Sequence, residues 1–162
     1  MSRISRHEAY LQIAEVISKR STCARGANGC VIIDILHNIP LAMTYNGSEG
    51  GHDHCNPRDC NWKDIREKPC SHAVHAEENA LRKVGNIKKK VDIYLTSSPC
   101  LTCTQRLISS KLEIYRMYFR HLYHTVDHLK ILGVSGVYLY QVTPLYMIDY
   151  FTGEVVEGCK YN

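Results

Sequence analysis

Helix-like and strand-like segments alternate along this chain, and their order restricts the fold more than any single motif does. Ser5 opens a helical stretch to about Arg20: Ser5 and Glu8 have capping-box spacing, and Ala9, Ile13, Val16 and Ile17 predict one apolar stripe. "CVIIDIL" (30–36) and "IPLAMTY" (39–45) read as two strands joined by a two-residue turn at His37-Asn38. A helix is predicted from about 72 to 84, with Gly85 just past its end. A strand at 91–97, a helix at 100–110 and a strand at 113–119 follow. A helix at 124–132 closed by Gly133 and a strand at 134–140 complete the series. The order αββαβαβαβ predicts an α/β fold: a three-layer α/β/α sandwich around a mixed five-stranded sheet, antiparallel first and parallel later. The tail, 141–162, reads as a hairpin over one edge.

The 162 residues are read as one domain, 1–162, with a core over about 5–140 and an extension over 141–162. An apolar fraction of 44% beside 22% charged residues excludes a disordered chain. No apolar run is long enough for a transmembrane helix. The first ten residues lack the apolar stretch of a secretory signal, which points to the cytoplasm, of a host cell if the chain is viral. A net charge of +4 suits an anionic small ligand, and equally a lysine-rich solvated surface.

Eight cysteines require an explanation. In a reducing compartment, cysteines grouped with histidines more often hold metal than form disulfides. Cys30 lies inside an apolar run and reads as core. His75-Ala76-Glu77 and Pro99-Cys100-Leu101-Thr102-Cys103 are different, because each opens a predicted helix and a strand lies between them. His75, Cys100 and Cys103 supply one imidazole and two thiolates, the donor set of a catalytic zinc with a fourth position left for water. Helix N-termini favour ionised thiolates, and Pro99 suits a first turn. Two residues beyond His75, Glu77 is placed to move protons and not to hold metal. Zinc draws the pKa of its water to about 7, which suits replacement of an amine on an aromatic ring. H-x-E…P-C-x-x-C is the signature of zinc-dependent nucleobase deaminases.

With those residues in place, the chain resembles the cytidine deaminase superfamily over residues 5 to about 140, and more narrowly the deoxycytidylate (dCMP) deaminases. The narrower resemblance rests on "MTYNGSEGGHDHC" (43–55), "STCARGANGCVI" (21–32), "HAEENA" (75–80) and "YRMYFRHLYH" (115–124). It implies a cytidine deaminase-like fold and zinc-dependent conversion of dCMP to dUMP, the step that feeds thymidylate synthesis. It also implies substrate-binding roles for Arg25 (the 5′-phosphate), Asn46 (sugar hydroxyl or base edge), Ala76, Ser98 (a carbonyl for the exocyclic amine) and Tyr123. Gly47, Gly50 and Gly51 would let the backbone approach the phosphates of an effector, dCTP or dTTP, with Mg2+ a companion of such a triphosphate. Some relatives carry a second, structural zinc; Cys55, Cys60, Cys70 and His72 are of the right type here, with Cys23, His52 or His54 as alternates. Relatives commonly form homohexamers. The chain departs from the family pattern at Asn28, Cys30, Thr44 and His72, which border the expected nucleotide pocket.

Two rival readings remain at this stage. A deaminase of another cytosine nucleoside or nucleotide, of tRNA adenosine, or of a pterin or guanine base would share the zinc site. "YNGSEGGHDHC" argues against those, and the lack of an extended aromatic-basic groove argues against nucleic acid. A zinc-stabilised nucleic-acid-binding module would close its site with a fourth ligand near Cys100 and Cys103, and the sequence offers none.

Overall fold

The computed structural model describes residues 3–55, 60, 70 and 72–158. Among them, β1 (Gly29–Asp34) pairs antiparallel with β2 (Ile39–Tyr45) on one side and with β5 (Lys90–Ser97) on the other. From β5 the sheet continues in parallel through β6 (Glu113–His121) and β7 (Tyr138–Val142). The tail hairpin, β8 (Tyr146–Asp149) and β9 (Val155–Gly158), extends the same sheet antiparallel. The order is β2-β1-β5-β6-β7-β8-β9, seven strands where the sequence predicts five, because the hairpin joins the sheet edge. A separate two-stranded ladder links β3 (Gly47–Ser48) to β4 (Ala73–Val74), so the two ends of the long polar loop are paired.

Side-chain alternation along the buried strands creates two cores. Cys30, Ile32, Ile93, Leu95, Met117 and Phe119 face α2 (Ala76–Val84), α3 (Leu101–Ile108) and α4 (Lys130–Val134). Val31, Ile33, Tyr94 and Tyr118 face α1 (Arg6–Ser18) on the other side, meeting Leu11 and Ala14. That gives the expected three layers. Gly29 is required where α1 crosses β1, since a Cβ there would lie 2.0 Å from the Ala14 carbonyl oxygen. No described helix is long and apolar enough to cross a membrane.

Several local expectations are corrected. On α1 the buried apolar side chains are Leu11 and Ala14, while Ile13 and Val16 are exposed. The sheet under α1 presents Arg120, which pairs with Glu8 and Glu15, so charged residues sit on the inner face and apolarity misidentifies it. Ser5 does cap α1 by accepting the Glu8 N–H, but the Glu8 carboxylate turns to Arg120 and Gln12. The β1–β2 connection has four residues, 35–38, because Asp34 accepts the Leu36 and His37 N–H groups and Asn38 takes φ 54°. Beyond residue 124, a 3-10 turn at Asp127–Leu129 leads into α4, and Gly133 lies within that helix against the Phe151 ring.

Candidate active site

α2 runs back along the sheet to feed β5, and β5 returns to feed α3, so both helix starts meet beyond the carboxyl end of β5. His75 is the N-cap residue of α2 and Cys100 that of α3. Both are extended (φ −73°, ψ 155° and φ −74°, ψ 169°), and neither spends its side chain on the cap. His75 thus precedes the helix, and Glu77 belongs to its first turn.

The His75 Nδ1 atom lies 3.5 Å from Cys100 Sγ and 3.3 Å from Cys103 Sγ. Among the described residues, this set brings three donor atoms within 4.8 Å of one another. A tetrahedral ion held by nitrogen at about 2.0–2.1 Å and sulfur at about 2.3 Å separates those donors by about 3.6 Å. The spacing and chemistry of the set therefore fit zinc. Cys103 hydrogen-bonds Cys100 and, with His75 adding, draws the Cys100 thiol down to about 3; Cys103, as the partner holding the proton, is pushed up. The hydrogen bond with Cys100 likewise raises His75. Glu77 is 7% exposed, and burial lifts its carboxyl above the usual carboxylate range, against the pull of its own backbone N–H and of His75.

These residues open onto a cleft of about 750 Å³ that Arg25, Asn46, Ala76, Ser98 and Tyr123 also line. The structure thus gathers all five predicted substrate residues. Asn46 Oδ1 accepts the Asn28 N–H at 2.8 Å and Nδ2 donates to the Gly26 carbonyl at 2.8 Å, so its amide shapes the 26–28 wall. Ser98 Oγ accepts the Tyr123 N–H at 2.8 Å, and the Ser98 N–H donates to the His121 carbonyl at 2.8 Å, fastening the next loop. The Tyr123 ring packs on His124 at 3.9 Å. The Arg25 guanidinium hydrogen-bonds Cys60, with Cys70 and Cys23 close by.

The remaining predicted residues lie outside the His75–Cys100–Cys103 set. The glycines proposed for an effector are not part of the cleft lining: Gly47 is packed against Thr22, while Gly50 and Gly51 are exposed, Gly51 with φ +86°. Cys55, Cys60, Cys70 and His72 are not gathered into a second metal set among the described residues. Cys55 lies 3.4 Å from Ser48 Oγ, Cys60 is bonded to Arg25, and His72 is exposed. Most of the loop joining them, 56–59 and 61–69, lies outside the described residues.

Six contacts around the site escaped the sequence reading. Thr44 and Asn79 tie α2 to β2, and His128 Nε2 stands 2.8 Å from the Pro99 carbonyl. At the rim, Glu78 pairs with both Arg82 and Arg106, and Arg82 also reaches Glu49. Only Glu78–Arg82, at helical i,i+4 spacing, carries a local signal.

The chain matches the family model of the cytidine and deoxycytidylate deaminase zinc-binding region over residues 4–120. It is 30% identical to deoxycytidylate deaminase of Schizosaccharomyces pombe over 146 residues, which cover 83% of this chain and 43% of that protein. It is also 30% identical over 146 residues to ComE operon protein 2 of Bacillus subtilis, covering 88% of this chain and 74% of that protein. Against the solved dCMP deaminase from the cyanophage S-TIM5 in complex with dCMP and dUMP, the TM-score is 0.69 at 27% identity, covering 83% of this chain and 95% of that one. The chain spans less than half of the fission-yeast relative. Its model match, its identity to these relatives and the fold they share make it a member of the cytidine and deoxycytidylate deaminase zinc-binding family.

Proposed function

We propose that this chain catalyses hydrolytic deamination of dCMP to dUMP. The observation that carries the reading is a buried carboxylate, Glu77, opening onto the same cleft as the His75–Cys100–Cys103 set, in a fold like that of a relative solved with both dCMP and dUMP. His75, Cys100 and Cys103 would hold the zinc, which there would supply Lewis acidity and make a nucleophilic water available near neutral pH.

The rest is the work of the chain's own groups. Glu77 takes a proton from the attacking water and gives it to N3 of the cytosine. It then carries the second proton to the departing amine, so the C4–N bond breaks as ammonia leaves and a C4–O bond replaces it. Burial raises the Glu77 carboxyl, the direction that favours its holding a proton between the two transfers. Ala76, in the first turn of α2, has a backbone N–H without a helical partner to offer the base. Asn46 faces the sugar, Arg25 the 5′-phosphate, Tyr123 closes the nucleotide side, and the Ser98 carbonyl receives the exocyclic amine. Control by dCTP and dTTP with Mg2+ and a homohexameric assembly, which rest on the family resemblance, and a cytoplasmic location complete the proposal.

The experiment is an absorbance assay of zinc-loaded protein against dCMP, CMP, deoxycytidine, dCTP and cytosine. Preferred turnover of dCMP is expected. Activity on deoxycytidine equal to that on dCMP would remove the phosphate from the proposal, and silence on all five would remove the reaction.

A further inference from the structure

The end of β2 grips both walls of the cleft. Thr44, 2% exposed, donates its hydroxyl proton to the Ala76 carbonyl at 2.7 Å. One residue on, the Tyr45 carbonyl accepts from Asn79 Nδ2 of α2 at 2.9 Å. The next residue, Asn46, holds the Gly26–Asn28 wall through both ends of its amide. Three consecutive residues thus set the position of the metal-bearing turn relative to the substrate wall. Ala76 stands between His75, whose Nδ1 faces the two thiols, and Glu77, whose carboxyl is buried in the cleft.

We propose that Thr44 is a positioning residue for the His75–Ala76–Glu77 turn. The first-turn carbonyl it bonds has a lone pair to spare beyond its helical partner, so the hydroxyl adds a tether without displacing a helix bond. That tether fixes the height and rotation of the start of α2 against the sheet, and through them the aim of Glu77. Its catalytic meaning rests on the deaminase reading above. A single buried hydroxyl–carbonyl bond contributes modestly to folding. A catalytic group misplaced by about 1 Å loses up to about 10²-fold in rate. A kinetic effect that outweighs the stability effect is therefore the signature of this role.

The test uses Thr44→Val, which removes the hydroxyl and keeps the shape, and Thr44→Ser, which keeps the hydroxyl. Thr44→Ala replaces the valine variant if that one does not fold. Each protein is loaded with zinc for kinetics and with cobalt(II) for its visible bands, which report ligand geometry. Thr44→Val is expected to lose about tenfold in kcat on dCMP with KM changed by less than about twofold. Its melting temperature should stay near that of the parent, and Thr44→Ser should restore kcat. A parental kcat in Thr44→Val overturns the proposal. So does a loss that only tracks a smaller folded or metal-loaded fraction. If the parent itself turns over no dCMP, it is the reading of function that fails, and the cobalt spectra decide for Thr44. Altered bands in Thr44→Val that revert in Thr44→Ser support the tether, and identical bands in all three overturn it.

Discussion

The two faces of the sheet are buried by opposite means. Under α2, α3 and α4 the layer is aliphatic, with Ile32, Ile93, Leu95 and Met117 meeting Ala76, Ala80, Leu107 and Leu132. Under α1 it is aromatic and ionic. His7 stacks on Tyr118 at 4.4 Å, Tyr94 stacks on Tyr118 at 4.8 Å, and Arg120 bridges Glu8 and Glu15. The His75, Glu77, Cys100 and Cys103 side chains, proposed to carry the chemistry, belong to the α2 and α3 side. The apolar floor under the helix starts buries the Glu77 side chain, and that burial raises its carboxyl. The polar face uses its charges on itself, in the Arg120 pairs that clamp α1 to the sheet.

Cys100→Ala should produce the largest effect and sharpens that division. Metal content and activity are expected to vanish together, while circular dichroism stays parental because the aliphatic layer does not depend on the ion. A variant that kept zinc and turnover would break the site as described.

Arg120→Ala attacks the other face. Arg120 is 8% exposed, and its loss leaves Glu8 buried without its charged partner. A loss of about 3–5 kcal/mol in denaturant unfolding is expected, with kcat per folded molecule unchanged. A large fall in kcat at parental stability would show that the α1 face takes part in the chemistry.

His7 gives a smaller, pH-dependent contrast. Burial, with Arg6 and Arg116 adding, lowers its pKa from 6.5 to about 4. The folded value lies below the unfolded one, so the unfolded chain takes up the proton first as pH falls. Stability from this residue is therefore intact above about 6.5, declines toward pH 4 and levels off below it. Melting curves of the parent and His7→Phe should converge toward low pH if the variant is the less stable at pH 7, and a constant gap would contradict the assignment.

The smallest effect is expected at Val16, which is 64% exposed. Val16→Ser should change stability by no more than about 0.5 kcal/mol. A loss of the size expected for a core residue would restore the apolar stripe first read from the sequence.

That stripe shows where sequence reading fails and why. On α1, both sides of the helix carry apolar residues and the inner one also carries Glu8, so periodicity cannot choose between them; only Arg120, far along the chain, decides. Likewise α2 begins at Ala76 and not near 72, because Ala73–Val74 pairs as a strand with the distant Gly47–Ser48. The helix start at Cys100 was legible because proline and ligand spacing are local signals. The tether from Thr44 to Ala76 was not, since it joins residues 32 apart through one hydroxyl. The tail hairpin was readable as a hairpin, but its union with the sheet depends on pairing with β7, which no local pattern encodes.

The central claim is that three residues hold the metal and Glu77 moves protons without holding it. The most direct measurement is zinc content and dCMP turnover on the same sample of Glu77→Ala. Full zinc loading with kcat lowered by about 10²–10⁴-fold is the predicted result. Turnover close to the parent's, or zinc lost along with activity, would contradict it.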